Sequence, residues 1–155
     1  MAKAARASRH IELERKFAVP ESGELPSFDG LSGVAARTEK LPVQLLEAVY
    51  FDTAQRDLAA NRIAVRRRTG GTDAGWHLKL PSAAGASAEA RTEFQAALSD
   101  EIPEELRDMV LAIVRDRPLL PVARIVNNRM VTMLFGPDGT AFAEFCDDQV
   151  SASRL

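Results

Sequence analysis

Residues 11–17, Ile-Glu-Leu-Glu-Arg-Lys-Phe, alternate in a way that an extended strand turns into two chemically opposite faces. Side chains on a strand point to alternate sides, so Glu12, Glu14 and Lys16 share one face and Ile11, Leu13 and Phe17 the other. One such strand is ordinary, because a sheet edge with one solvated face needs no further account. Here the pattern recurs. Residues 62–69 set Ala64, Arg66 and Arg68 against Ile63, Val65 and Arg67, and the glycine-rich tract 70–75 then turns the chain. Residues 76–80 return with His77 and Lys79 opposite Trp76, Leu78 and Leu80. Residues 91–98 set Arg91, Glu93 and Gln95 against Thr92, Phe94 and Ala96, which places Arg91 to pair with Glu93. The hairpin puts Arg66, Arg68 and Lys79 on one face of one sheet.

The rest of the chain supplies packing elements. Residues 44–53 are apolar on both faces and predict a buried strand ended by a turn capped at Asp52-Thr53. Pro103 opens a predicted packing helix over 103–115, with Leu106, Met109, Val110 and Ile113 at helical spacing. Residues 122–135 favour a long strand carrying Arg124 and Arg129, and Gly136-Pro137-Asp138-Gly139 turns it into a strand over 140–146 that presents Glu144 and Cys146 together. Residues 20–42 read as a loop with one short helix anchored by Leu31 and Val34, and 82–88 as a flexible loop.

At 155 residues, 46% of them hydrophobic, the chain suits one domain with a real core. A formal net charge of −2 gives no global pull toward nucleic acid or membrane, so any functional positive charge is local. One cysteine and two histidines exclude a disulfide framework and a zinc cluster, which points to a reducing, cytoplasmic setting. Residues 1–9 read as a disordered basic tail without the apolar core of a secretory signal, and no later apolar run approaches a membrane span. The domain is expected over 10–155.

Cations gathered on one sheet face repel: two like charges about 4 Å apart at an effective dielectric near 20 cost about 4 kcal/mol, and an anion relieves that cost. Arginine forks match phosphate oxygens, while lysine supplies a mobile point charge. Glu12 and Glu14, about 7 Å apart along a strand, suit joint coordination of a hard cation. Carboxylates beside a basic cluster therefore point to a metal–phosphate substrate. No Gly-x-x-x-x-Gly-Lys loop is present, so phosphates must be held by side chains.

The ordered set Glu12-x-Glu14-x-Lys16, Tyr50-Phe51-Asp52-Thr53, Val65-Arg66-Arg67-Arg68, Trp76-His77-Leu78-Lys79-Leu80-Pro81 and Arg91-Thr92-Glu93 resembles the CYTH domain of the triphosphate tunnel metalloenzymes. The match runs from about Glu12 to about Val150. The resemblance implies an α+β fold, an antiparallel β-barrel whose lumen is a charged tunnel with helices outside. It implies divalent-metal-dependent hydrolysis of a triphosphate, inorganic triphosphate first, with Mg2+ or Mn2+ held by Glu12, Glu14 and Glu144. Glu12, Glu14 and Lys16 form the implied catalytic group, and Lys16, Arg66, Arg68, Lys79 and Arg129 the phosphate grip. Arg91, Glu93 and Asp148 fall at further tunnel positions, while Arg15, Arg67 and Arg124 have the opposite parity.

Two other readings stay open: an adenylate cyclase forming cyclic AMP from ATP, and a non-catalytic polyphosphate-binding module. The implied partners are a triphosphate-containing small molecule or inorganic polyphosphate, with neither membrane nor specific nucleic acid, and an oligomer is left open. Members of the family usually continue into another acid-x-acid strand. The domain is accordingly expected to lack its final strand or strands, as in the N-terminal part of a protein that pairs CYTH with a helical, histidine-rich CHAD domain.

Overall fold

The computed structural model describes residues 6–28, 33–81 and 90–155. Among these residues eight strands form one antiparallel sheet: β1 (Ser8–Leu13), β2 (Arg37–Lys40), β3 (Gln44–Asp52), β4 (Ala64–Thr69), β5 (Gly75–Pro81), β6 (Ala90–Ala96), β7 (Leu120–Phe135) and β8 (Ala141–Arg154). Their order is β1-β6-β5-β4-β3-β7. β7 is long enough to take β3 along 120–129 and β2 along 132–135 on one edge, with β8 on the other. β1 pairs with β6 and β8 with β7, and among the described residues no ladder joins β1 to β8, so hydrogen bonds do not close the barrel.

Period-two alternation gives this sheet two unlike sides. On one, Ile63, Val65, Trp76 and Leu78 form the core with Leu58 of α1 (Asp57–Ala60), Leu106 of α2 (Glu104–Met109), and Val110 and Val114 at either end of α3 (Leu111–Val114). Trp76 also meets the Phe51 ring, and its indole N–H donates to the Ser99 carbonyl at 3.1 Å. Arg67 Nε reaches the same carbonyl at 2.8 Å, so both side chains hold the approach to α2 against the sheet.

The four-residue helix α1 follows Arg56, whose side chain makes no capping bond. The buried carboxylate of Asp52 does that work, accepting from the amides of Thr53, Leu58 and Ala59 at 2.7, 2.9 and 3.1 Å. Asp52-Thr53 thus caps as its residue types suggest.

Several element boundaries differ from the sequence reading. β1 starts at Ser8, inside the stretch assigned to the tail, and ends at Leu13, because its ladder runs along β6 from Gln95 to Ala90. Glu14 and Lys16 therefore lie beyond the strand. The single helix over 103–115 is two helices broken at Val110 (φ −110°, ψ 3°), which buries Leu106, Val110 and Val114 and leaves Met109 partly exposed. β2 lies in a region read as loop, and β8 continues past residue 146 because β7 offers a template out to the Ala123–Arg154 pair. Leu31 and the loop over 82–88 fall outside the described residues. No described helix is long and apolar enough to cross a membrane.

Leu106 is fully buried between helix and sheet. Leu106→Ala is expected to lower unfolding stability by about 2–5 kcal/mol, read as a shifted denaturation midpoint with unchanged slope.

Candidate anion site on the polar sheet face

Register alone brings the charged side chains to the second face. Glu12 pairs opposite Arg91, Lys79 opposite Glu93, and Arg66 opposite both His77 and Tyr50. Gln44 pairs with Arg129, which pairs with Asp148, so the same face continues onto β7 and β8.

Lys79 sits at the centre of one network. Its Nζ lies 2.7 and 2.6 Å from the two oxygens of Glu12 and 3.1 Å from Glu93 Oε2. The other oxygen of Glu93 lies 2.8 Å from His77 Nδ1 and accepts from Gln95 Nε2 at 2.6 Å, and His77 Nε2 lies 2.8 Å from the Asp73 carbonyl. Burial works against ionisation of Glu93. The hydrogen bonds from His77 and Gln95 and the charge and hydrogen bond of Lys79 outweigh it and hold the carboxyl well below the usual carboxylate range.

The arginines form a second group. Arg68 is buried and donates to the Asp73 carboxylate. Its proton affinity is lowered first by burial and then by the charge of Arg66, with Arg129 adding to the effect. Arg129 makes two hydrogen bonds of 2.7 Å to Asp148, which hold its proton more tightly than usual against the opposing effect of burial. Burial likewise disfavours the Asp148 anion, but the hydrogen bonds from Arg129 and Asn127 prevail and lower its pKa. Arg66 Nη1 donates to the Tyr50 hydroxyl at 3.3 Å. The Nε atoms of Arg66 and Arg68 are buried with no acceptor among the described residues. Buried unpaired donors are costly, and oxyanions satisfy them.

A cleft of about 350 Å³ opens over this face, lined by Glu12, Glu14, Lys16, Arg66, Lys79 and Arg91 together with Tyr50 and Ala64. It gathers both acids of the first motif and four predicted cations. Arg68 and Arg129 do not line it, but Arg68 lies near enough to feel the charges of both Arg66 and Arg129. Glu14 acts on Arg129 and, with Glu144, on Cys146, whose thiol is pushed up mainly by burial. The end of the first motif therefore faces β8 across the polar side of the sheet.

Other predicted positions are arranged differently. Glu144 is exposed on β8, and among the described residues no group of three His, Cys, Asp or Glu side chains is gathered for a metal. Glu12 and Glu14 still fit a magnesium-type ion, whose hard oxygen shell is commonly completed by substrate phosphates and water. Both oxygens of Glu12 face Lys79, and Glu14 lies 3.3 Å from Lys16. Arg91 donates to the Arg62 carbonyl rather than to Glu93. Arg67 and Arg124 lie on the reverse parity, the latter paired with Glu47 by two bonds of 2.8 Å. Sequence reasoning missed Tyr50, Asn127 and Asp73 as site residues. Tyr50 had a signal in its parity, which becomes usable only once its pairing with Arg66 is known.

The depressed Glu93 carboxyl stabilises the fold fully above the ordinary carboxylate pKa of about 4.3, and that contribution is lost as pH falls through the lower folded value. Glu93→Gln should therefore flatten the fall in stability below about pH 4.3. Denaturant titrations from pH 6 down to about pH 2 check this, and a parental slope in the variant would contradict it.

The family model for the CYTH domain matches residues 10–151. Two Mycobacterium tuberculosis proteins, from strains CDC 1551 and H37Rv and both described as uncharacterized, are 56% identical over 152 residues. That alignment covers 96% of this chain and 29% of each relative, so the chain spans less than a third of their length. Among solved structures, a putative adenylyl cyclase from Hippeastrum, described as having a dominant triphosphatase activity, is 21% identical. It covers 81% of this chain and 76% of its own, with a TM-score of 0.39.

Proposed function

The chain belongs to the CYTH domain family, and from that premise we propose that residues 10–155 form a cytoplasmic domain that binds a triphosphate, inorganic triphosphate first, and hydrolyses it with Mg2+ or Mn2+. The observation that carries this reading is the buried, acceptorless Nε atom of Arg66, which lines a cleft with Lys79, Lys16, Glu12 and Glu14, together with the same unmet donor on Arg68 two residues along the strand. A guanidinium that lines a polar cleft without a full set of acceptors suits an oxyanion with several oxygens.

Within this reading Arg66 and Arg68 orient the phosphate chain and Arg129 extends the grip toward β8. Lys79 and Lys16 stabilise charge that spreads over the phosphoryl oxygens as water attacks the terminal phosphorus and its bond to the bridging oxygen breaks. Glu12 and Glu14 are the residues to hold the divalent ion, which when bound supplies charge neutralisation and acidifies water. Glu144 has no place beside them among the described residues.

Phosphate release from inorganic triphosphate, cyclic AMP formation from ATP, and calorimetric binding, each with and without magnesium, separate hydrolase, cyclase and binding module. Arg66→Ala should weaken triphosphate binding by about tenfold or more, whereas Arg67→Ala, facing the other side, should change it less than about twofold. Equal losses for the two would remove the face argument. Glu12→Gln and Glu14→Gln should abolish metal-dependent phosphate release while the folded circular dichroism spectrum is kept, Glu12→Gln at a lower melting temperature because it weakens the Lys79 pair, and parental turnover in both would remove their metal role.

A further inference from the structure

Three cations of the polar face, Lys79, Arg129 and Arg68, are already paired with acids of the same chain. Lys79 is held by Glu12 on β1 and Glu93 on β6, and Arg129 by Asp148 on β8. Those three acids are rooted on ladder residues of β1, β6 and β8. Asp73 differs. It belongs to the turn between β4 and β5, and its side chain is 40% exposed whereas that of Arg68 is 8% exposed.

The backbone of this turn is fixed. Its carbonyl at Asp73 meets His77 Nε2, and Gly70 takes φ 80° where a Cβ would strike the Leu45 carbonyl. The carboxylate, by contrast, can leave by rotating about its own side-chain bonds. Beside it opens a second cleft of about 280 Å³, which Asp73 lines together with Arg6, Thr72 and His77.

We propose that Asp73 is an internal competitor for the phosphate site: its carboxylate occupies on Arg68 the position of a substrate phosphate oxygen, and a bound triphosphate displaces it toward the cleft beside Arg6. The inference rests on the triphosphate reading of the same face and adds to it the residue that sets anion affinity. Without ligand, Asp73 compensates a buried guanidinium that Arg66 and Arg129 would otherwise repel. That compensation weakens the grip on any incoming oxyanion.

Asp73→Asn keeps the side-chain shape and a neutral acceptor for Arg68 but removes the competing charge, and Asp73→Ser removes the reach as well. Calorimetry with inorganic triphosphate in chelator should show both variants binding about tenfold tighter than the parent, with lower melting temperatures in the absence of ligand. In the unsubstituted protein, the Asp73 carboxyl carbon resonance should shift when triphosphate is added. Tighter binding by the variants, including binding where the parent shows none, supports the competitor role. Equal or weaker binding by the variants beside a binding parent overturns it and leaves the triphosphate reading standing. If neither variant folds, an Asp73 resonance that stays put while Arg66 responds overturns it. No binding by parent or variants, in chelator and with magnesium alike, overturns both.

Discussion

The ammonium of Lys79, held within 2.7 Å of both Glu12 oxygens and 3.1 Å from Glu93, is the contact on which the polar half of the structure depends. It ties β1 to the interior of the sheet. β1 has little else to hold it, since Ile11 and Leu13 are 75% and 73% exposed and contribute almost no burial. Its attachment comes from the ladder to β6, from this ion pair and from the Ala7 amide bond to Glu105. Breaking the pair would leave a nearly buried ammonium with only Glu93, and an undercompensated buried charge costs several kcal/mol.

The charged face is possible because the reverse face supplies the stability. Trp76 and Leu78 alternate with His77 and Lys79 along one strand, and all four are buried, two in the apolar core and two among charges. The helices cover the apolar side through Leu106, Val110 and Val114. Among the described residues no helix covers the polar side, so the buried charges there are stabilised by pairing, as the hydrogen bonds of Glu93, Arg68 and Arg129 show.

This division explains what could be read from the sequence. Strand parity follows from local alternation, so Arg66, Arg68, Lys79 and Glu93 could be assigned to one face and Arg67 to the other before any pairing was known. The second half of β8 carries no such signal. Asp147, Asp148, Gln149, Ser151 and Ser153 are polar residues of modest strand preference, drawn into the ladder by the length of β7. β2, Arg-Thr-Glu-Lys, is likewise a strand only because 132–135 offers it a partner. Which acid neutralises which base depends on turn geometry and register, and no local pattern reveals that Asp73 reaches Arg68 or that Arg91 turns to the Arg62 carbonyl.

The pairing also constrains what can enter. On this face Arg66, Arg68, Lys79 and Arg129 stand against Glu12, Asp73, Glu93 and Asp148, equal in number although Lys79 meets two of the acids and Arg66 only the Tyr50 hydroxyl. A bare triphosphate added to so balanced a site would leave a large excess of negative charge in a poorly solvated space, whereas a triphosphate bringing a divalent cation brings its own compensation. Glu12 and Glu14 line the cleft beside the cations, where an arriving ion could exchange with the ammonium groups of Lys79 and Lys16. Each lysine so released would face the phosphates. On the triphosphate reading proposed above, metal and substrate would be coupled through the same two carboxylate–lysine pairs, binding of either favouring the other.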